Sequence, residues 1–181
     1  MGLTESEFAV LRQTISTRGT VRIILLPATL FGWGALVSTF LVTGHVSPLA
    51  SMFSLAVVAA GFEAIHALHV GVERIGRYLQ VYYEVSNDGP QWETTCMLVG
   101  PALPGGGVDP LFTLLLGGAT IANLIPPLAV TSARVELSIV GLLHALFLVR
   151  MMRARWAAAR QRTVELESYR AIRSGGPRQR S

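Results

Sequence analysis

Between Arg22 and Glu63 the chain runs for 40 residues without a single Asp, Glu, Lys or Arg. As one straight helix at about 1.5 Å per residue this run would reach about 60 Å, twice a hydrocarbon core of ~30 Å. It therefore has to fold back once. The break is legible at Gly44-His45-Val46-Ser47-Pro48, where glycine frees the backbone and proline cannot continue a helix. Composition agrees, with 51% hydrophobic and only 14% charged residues against about 25% charged in soluble domains.

Two further apolar runs follow, so the expected fold is all-α, an integral membrane bundle of four transmembrane helices. The spans are read at about 23–43, 51–72, 111–130 and 135–152. Orientation comes from arginine, which supplies all 15 basic residues; 14 of them fall in the N-terminal segment, the central loop 85–109 with its approaches, or the C-terminal tail. Only Arg134 falls on the other side. By the positive-inside rule both termini are then cytoplasmic, and the expected location is the inner membrane of a bacterium. The second and fourth spans continue beyond the bilayer as charged helices, through Glu73, Arg74, Arg77 and Tyr78 in one case and Arg150, Arg153, Arg155 and Trp156 in the other. Arginine and tyrosine suit the headgroup region, so Arg74, Arg77, Arg150, Arg153 and Arg155 are expected to meet anionic lipid.

The flanking segments carry weaker signals. Residues 1–22 open with Thr4-Glu5-Ser6-Glu7, a capping-box spacing, and predict a short helix whose Phe8, Leu11 and Ile15 face either the membrane surface or the bundle. The first apolar run starts only at Ile23 and is about 20 residues long, too long for a cleaved signal and expected to stay as a span. A breaker is read at Ser86-Asn87-Asp88-Gly89-Pro90, and 91–109 is too interrupted for a span. Gly105-Gly106-Gly107 lacks the Gly-Lys-Ser/Thr of a phosphate loop. Cys96 stands alone, so no internal disulfide can form. The basic tail 174–181 is expected to be disordered, and its arginines to fix topology without specific nucleic-acid binding.

The residues that carry chemistry lie inside the spans. Glu63, His66, His69, Glu73 and Arg77 fall on one stripe of the second span at about 100° per residue. An ionisable group in hydrocarbon costs about 3 kcal/mol and normally faces protein or water with a partner. His144 sits near mid-depth in the fourth span, and Thr120 and Asn123 in the third. These six intramembrane residues, Glu63, His66, His69, Thr120, Asn123 and His144, could share one polar centre. Pairs of small residues, Ala28 with Gly32 and Gly118 with Ala122, permit close helix contacts.

Four readings of the polar residues stand side by side. A b-type haem could be held by His66 or His69 together with His144, provided the second and fourth spans are neighbours. A single metal ion could be held by Glu63, His66 and His144. Carboxylate and imidazoles at staggered depths could relay a proton or pass a solute. Alternatively the same groups are polar ties between helices. No nucleophile with a base and no carboxylate pair is visible, so a catalytic role has the least support. The expected function is a non-catalytic accessory or scaffold subunit of a membrane assembly, with other membrane subunits or a second copy of itself as partner.

Overall fold

A computed structural model of the protein describes residues 4–85, 91–99, 110–130 and 134–175. The breaker 86–90, the glycine triplet, residues 131–133 and the tail beyond 175 lie outside the described residues. The elements are α1 (Glu5–Val42), α2 (Pro48–Leu79), α3 (Trp92–Val99), α4 (Pro110–Ala122), α5 (Ile125–Val130) and α6 (Arg134–Arg173), with no strand among the described residues. α2 continues into a π-helical turn, Gln80–Glu84. Four stretches are long and apolar enough to cross a membrane: α1, α2 with its π turn, α4 and α5 together, and α6.

The N-terminal helix and the first apolar run are one helix of 38 residues. Its start is closed by the capping box: the Thr4 N–H donates to Glu7 Oε2 at 2.9 Å and the Glu7 N–H to Thr4 Oγ1 at 3.4 Å. Pro27 lies inside it; the bond that its missing N–H forfeits is not enough to end so long an apolar helix. The opposite happens in the third apolar stretch. Its helix is interrupted at Asn123-Leu124, directly before Pro126 and Pro127, because two successive prolines remove two adjacent backbone donors.

The chain divides into two compact units: residues 22–66 with 110–154, and residues 1–21 with 67–109 and 155–181. In the first, the apolar unit, α2 contributes Leu55, Val58, Phe62 and Ile65, α4 contributes Leu116 and Ala119, and α6 contributes Phe147, Met151 and Ala154 to one core. Their spacings of three and four residues make a single inward stripe on each helix. Phe62 meets Phe147 edge-to-face with ring centroids 5.7 Å apart, so α2 and α6 are neighbours here. α1 covers the core with the half-buried Leu25, Leu26, Leu30 and Trp33.

The tightest approach of α1 to α2 is at Gly61, where a Cβ would come within 2.8 Å of the Thr29 Cβ. The Thr29 hydroxyl is already tied to the Leu25 carbonyl at 2.7 Å, and a Cβ cannot rotate away, so the backbones would have to part. Gly61→Val is expected to cost about 2 kcal/mol through overpacking, read as a lower thermal unfolding midpoint in detergent. Gly32→Ala, whose new Cβ would lie an ordinary 3.7 Å from Val57 Cγ1, should change the midpoint little. The sequence-level pairs around Gly32 and Gly118 therefore miss the position where small size matters; a Cβ on Gly118 would meet nothing within 4 Å.

In the second, charged unit, Phe8 stacks on Tyr83 with centroids 3.9 Å apart. Arg77, only 6% exposed, donates to Glu165 Oε2 at 2.5 Å and to Glu73 Oε2 at 3.1 Å. Arg74 joins Glu165 from the exposed side at 3.1 Å. Tyr78, Tyr82 and Tyr169 form an aromatic cluster in the same unit, and the Arg173 guanidinium donates to the Val81 carbonyl.

Candidate functional site: a buried polar centre in the apolar unit

The broken helix creates the site. In an unbroken helix the N–H of residue 127 would bond the carbonyl of Asn123; Pro127 has none. Ser51 supplies the missing donor, its hydroxyl lying 3.0 Å from the Asn123 carbonyl oxygen. The Asn123 side chain returns the contact, donating from Nδ2 to the Ser51 carbonyl at 2.7 Å and to His144 Nε2 at 3.0 Å. Trp33 closes the far side, its indole N–H lying 3.4 Å from Asn123 Oδ1.

Two one-way groups fix the protons. The indole N–H only donates, so the atom facing it is the amide oxygen, and Nδ2 points at His144. His144 Nδ1 lies 2.8 Å from the Val140 carbonyl, which only accepts, so Nδ1 carries the proton and Nε2 presents its lone pair to Asn123. Both ring nitrogens are thus engaged in the neutral tautomer. Asn123, His144 and Ser51 are 2%, 0% and 5% exposed, so each of these bonds is made away from solvent. His144 is inward because it shares the three-four stripe of Val140, Phe147 and Met151.

The structure brings only part of the expected constellation together. Asn123 and His144 form the centre. Thr120 is fully buried but bonds its own helix, donating to the Leu116 carbonyl at 2.7 Å. Glu63 is not in the interior: its side chain is 48% exposed and pairs with Arg150 at 2.8 Å. His66 stacks on Phe62 with centroids 5.7 Å apart. His69 belongs to the charged unit. Among the described residues no three His, Cys, Asp or Glu side chains converge as a metal ion would need. Glu63, His66 and His144 therefore form no ligand set, because Arg150 and Asn123 take the first and the last. Axial ligation of a haem through His144 Nε2 would need the lone pair that Asn123 now holds.

No family model matches the chain, and no curated protein or solved structure is detectably similar to it. The site has to be read from its own chemistry.

Ser51 and Trp33 were not among the residues singled out in the sequence. The signal for Ser51 was present, since Asn123 followed by Pro126-Pro127 announces a carbonyl needing an outside donor. Glu84 is a second residue of this kind, in the charged unit. The π-helical turn ends on it, and such turns often re-aim a functional side chain. Buried to 5% exposure, its carboxylate accepts from the Glu93 N–H at 2.6 Å and from the Thr94 N–H and hydroxyl at 2.9 and 2.6 Å. It thereby caps the start of α3, where free N–H groups and the helix dipole favour an anion.

Glu93, beside this cap, is held by Arg12 at 2.8 Å, yet its carboxyl titrates above the ordinary range. Burial raises it most, the neighbouring Glu84 and Glu73 carboxylates add to that, and Arg12 only partly offsets them. With a folded value above the unfolded one, its contribution to stability is largest in acid and falls as pH rises past its ordinary value near 4.5 through the raised one.

Proposed function

We propose that the protein is a non-catalytic integral membrane protein, an accessory or scaffold subunit of a membrane assembly, with four spans and both termini cytoplasmic in the inner membrane of a bacterium. The observation that carries this reading is the closed bonding of the polar centre. Ser51, Asn123, His144 and Trp33 spend their polar groups on one another and on the backbone carbonyls of Ser51, Asn123 and Val140. Such a centre ties α1, α2, α6 and the α4–α5 break together, and in a bilayer it re-satisfies the backbone that the prolines leave open. The arginine distribution favours the stated orientation. The exposed Arg153 and Arg160 and the half-buried Arg155 are suited to anionic headgroups at the cytoplasmic face.

The test is an absorption spectrum with metal analysis on protein purified in mild detergent from cells well supplied with haem and metals. A colourless, metal-free protein recovered from the membrane fraction is the expected result. A stoichiometric Soret band or metal that disappears in His144→Leu would replace the scaffold reading with a redox or metal-binding one.

A further inference from the structure

We propose that the face of the apolar unit carrying Glu63 and Arg150 is the contact surface of a symmetric homodimer, in which each Glu63 meets the Arg150 of a second copy. This rests on the membrane reading above and deepens it by naming the partner.

The ion pair between Glu63 and Arg150 is in the wrong place for groups that face lipid. Glu63 and Arg150 are bonded at 2.8 Å, yet their side chains remain 48% and 45% exposed. Glu63 lies 15 residues into α2 and Arg150 16 residues into α6, about 22 and 24 Å from the helix starts, still within a hydrocarbon core of ~30 Å. The exposed halves of both groups then face lipid tails unless protein covers them. Groups of this kind in spans normally face other protein or a wet cavity. Within its own chain the pair is incomplete: one guanidinium nitrogen reaches one carboxylate oxygen, and Phe62 lies under Arg150 at 6.0 Å. Further donors and acceptors on both side chains are left over.

The charge arrangement selects the occupant. α2 and α6 each begin beyond one break in the chain and carry their charged residue at nearly equal depth, so the two charges sit side by side across the helix direction. A two-fold axis along the membrane normal preserves depth and exchanges left for right between facing copies. It sets the carboxylate of each copy against the guanidinium of the other, giving an alternating square of four charges. A patch with one negative and one positive end is complementary to itself under that rotation, as an isologous interface must be. A negative or positive partner of another kind would leave half the patch repelled.

The backbone around the pair permits the approach. Ala56, Ala60 and Ala64 are exposed and lie with Glu63 on one face of α2. Alanines at four-residue spacing let two helices come close, where packing rather than the hydrophobic effect drives association.

The experiment uses the full chain reconstituted in nanodiscs, with subunits counted by single-molecule photobleaching. Wild type is expected to be dimeric. Glu63→Arg alone and Arg150→Glu alone are each expected to lower the dimer fraction by about tenfold or more, because each sets like charges across the axis. Co-expressed, the two variants should recover the dimer as a mixed pair, although the ion pair within each chain stays broken. Since charge reversal could hinder folding, disulfide trapping of Ala60→Cys in a Cys96→Ser background provides a second readout. Trapping at position 60, with none at Leu114→Cys on α4, is expected. A monomeric wild type, dimers indifferent to both reversals, no rescue in the mixture, or trapping at 114 instead of 60 would each overturn the proposal. A monomer that is still colourless and membrane-bound leaves the function proposed above in place, whereas a Soret band or recovery outside the membrane fraction would remove that reading instead.

Discussion

Asn123→Leu is expected to be the most damaging single substitution in the apolar unit, destabilising the fold by about 3 kcal/mol. It removes both amide donors and the acceptor at once: the Ser51 carbonyl and the Trp33 indole N–H lose their Asn123 partner, and His144 Nε2 keeps only the Ser51 hydroxyl at 3.4 Å. A buried group that loses its partner costs about 1–3 kcal/mol. The magnitude sits well above the ~0.6 kcal/mol average for a single polar tie between membrane helices, because Asn123 makes several such bonds at once, to Ser51, His144 and Trp33. Thermal unfolding in detergent, followed by circular dichroism, measures it.

A companion experiment isolates the backbone part of this effect. Ser51→Ala should cost about 1–2 kcal/mol by orphaning the Asn123 carbonyl. Adding Pro127→Ala restores an N–H at the position that would bond that carbonyl in a regular helix. The double variant is therefore expected to lose less stability than Ser51→Ala alone. If the two costs simply add, the serine is not standing in for the proline's missing donor.

In the charged unit the largest expected effect is that of Arg77→Met, about 2–3 kcal/mol. The methionine fills similar apolar volume but strips Glu165 of its shortest contact, at 2.5 Å, and Glu73 of its i+4 partner. Glu165 would keep Arg74 at 3.1 Å and Gln161 at 2.7 Å, so the cost is that of losing the buried one of its two guanidinium partners, a charge-assisted bond made away from solvent. Arg74→Met is the control. Arg74 donates to the other Glu165 oxygen, Oε1, at 3.1 Å, but its side chain is 54% exposed, so its loss should cost under about 1 kcal/mol. The Arg77 effect should also persist at high salt, since buried charges are poorly screened. Unfolding midpoints of the two variants at low and high ionic strength decide this.

The helices were legible because their signals are local. The uncharged 40-residue run, its Gly44–Pro48 break and the uninterrupted continuation past Arg77 and Arg150 all translate directly into long apolar helices. His144 and Asn123 were legible as polar residues deep in apolar runs, and Glu73 with Arg77 as an i,i+4 pair. What the sequence did not disclose is which helix answers each polar group. Glu63 was expected inside, but Arg150, 87 residues away, holds it at the surface of the apolar unit. Ser51 looked like an ordinary entry residue until the carbonyl freed by Pro127 gave it a task 72 residues downstream. Partnership across helices depends on which faces meet, and periodicity within one helix carries no information about that.

The proline break in the third apolar stretch also bears on how the protein is made. Ser51 and Trp33 precede Asn123 in the chain, whereas His144 follows it by 21 residues. On the membrane reading, the stretch leaves the ribosome with a carbonyl already in need of a donor, and Ser51 is waiting in the bilayer to serve it. At about 5–20 residues per second the imidazole arrives roughly one to four seconds later. During that interval the amide has its serine and tryptophan but not its histidine. The last helix to be synthesised is thus received by a half-finished socket, and its insertion completes the bonding that holds the earlier three.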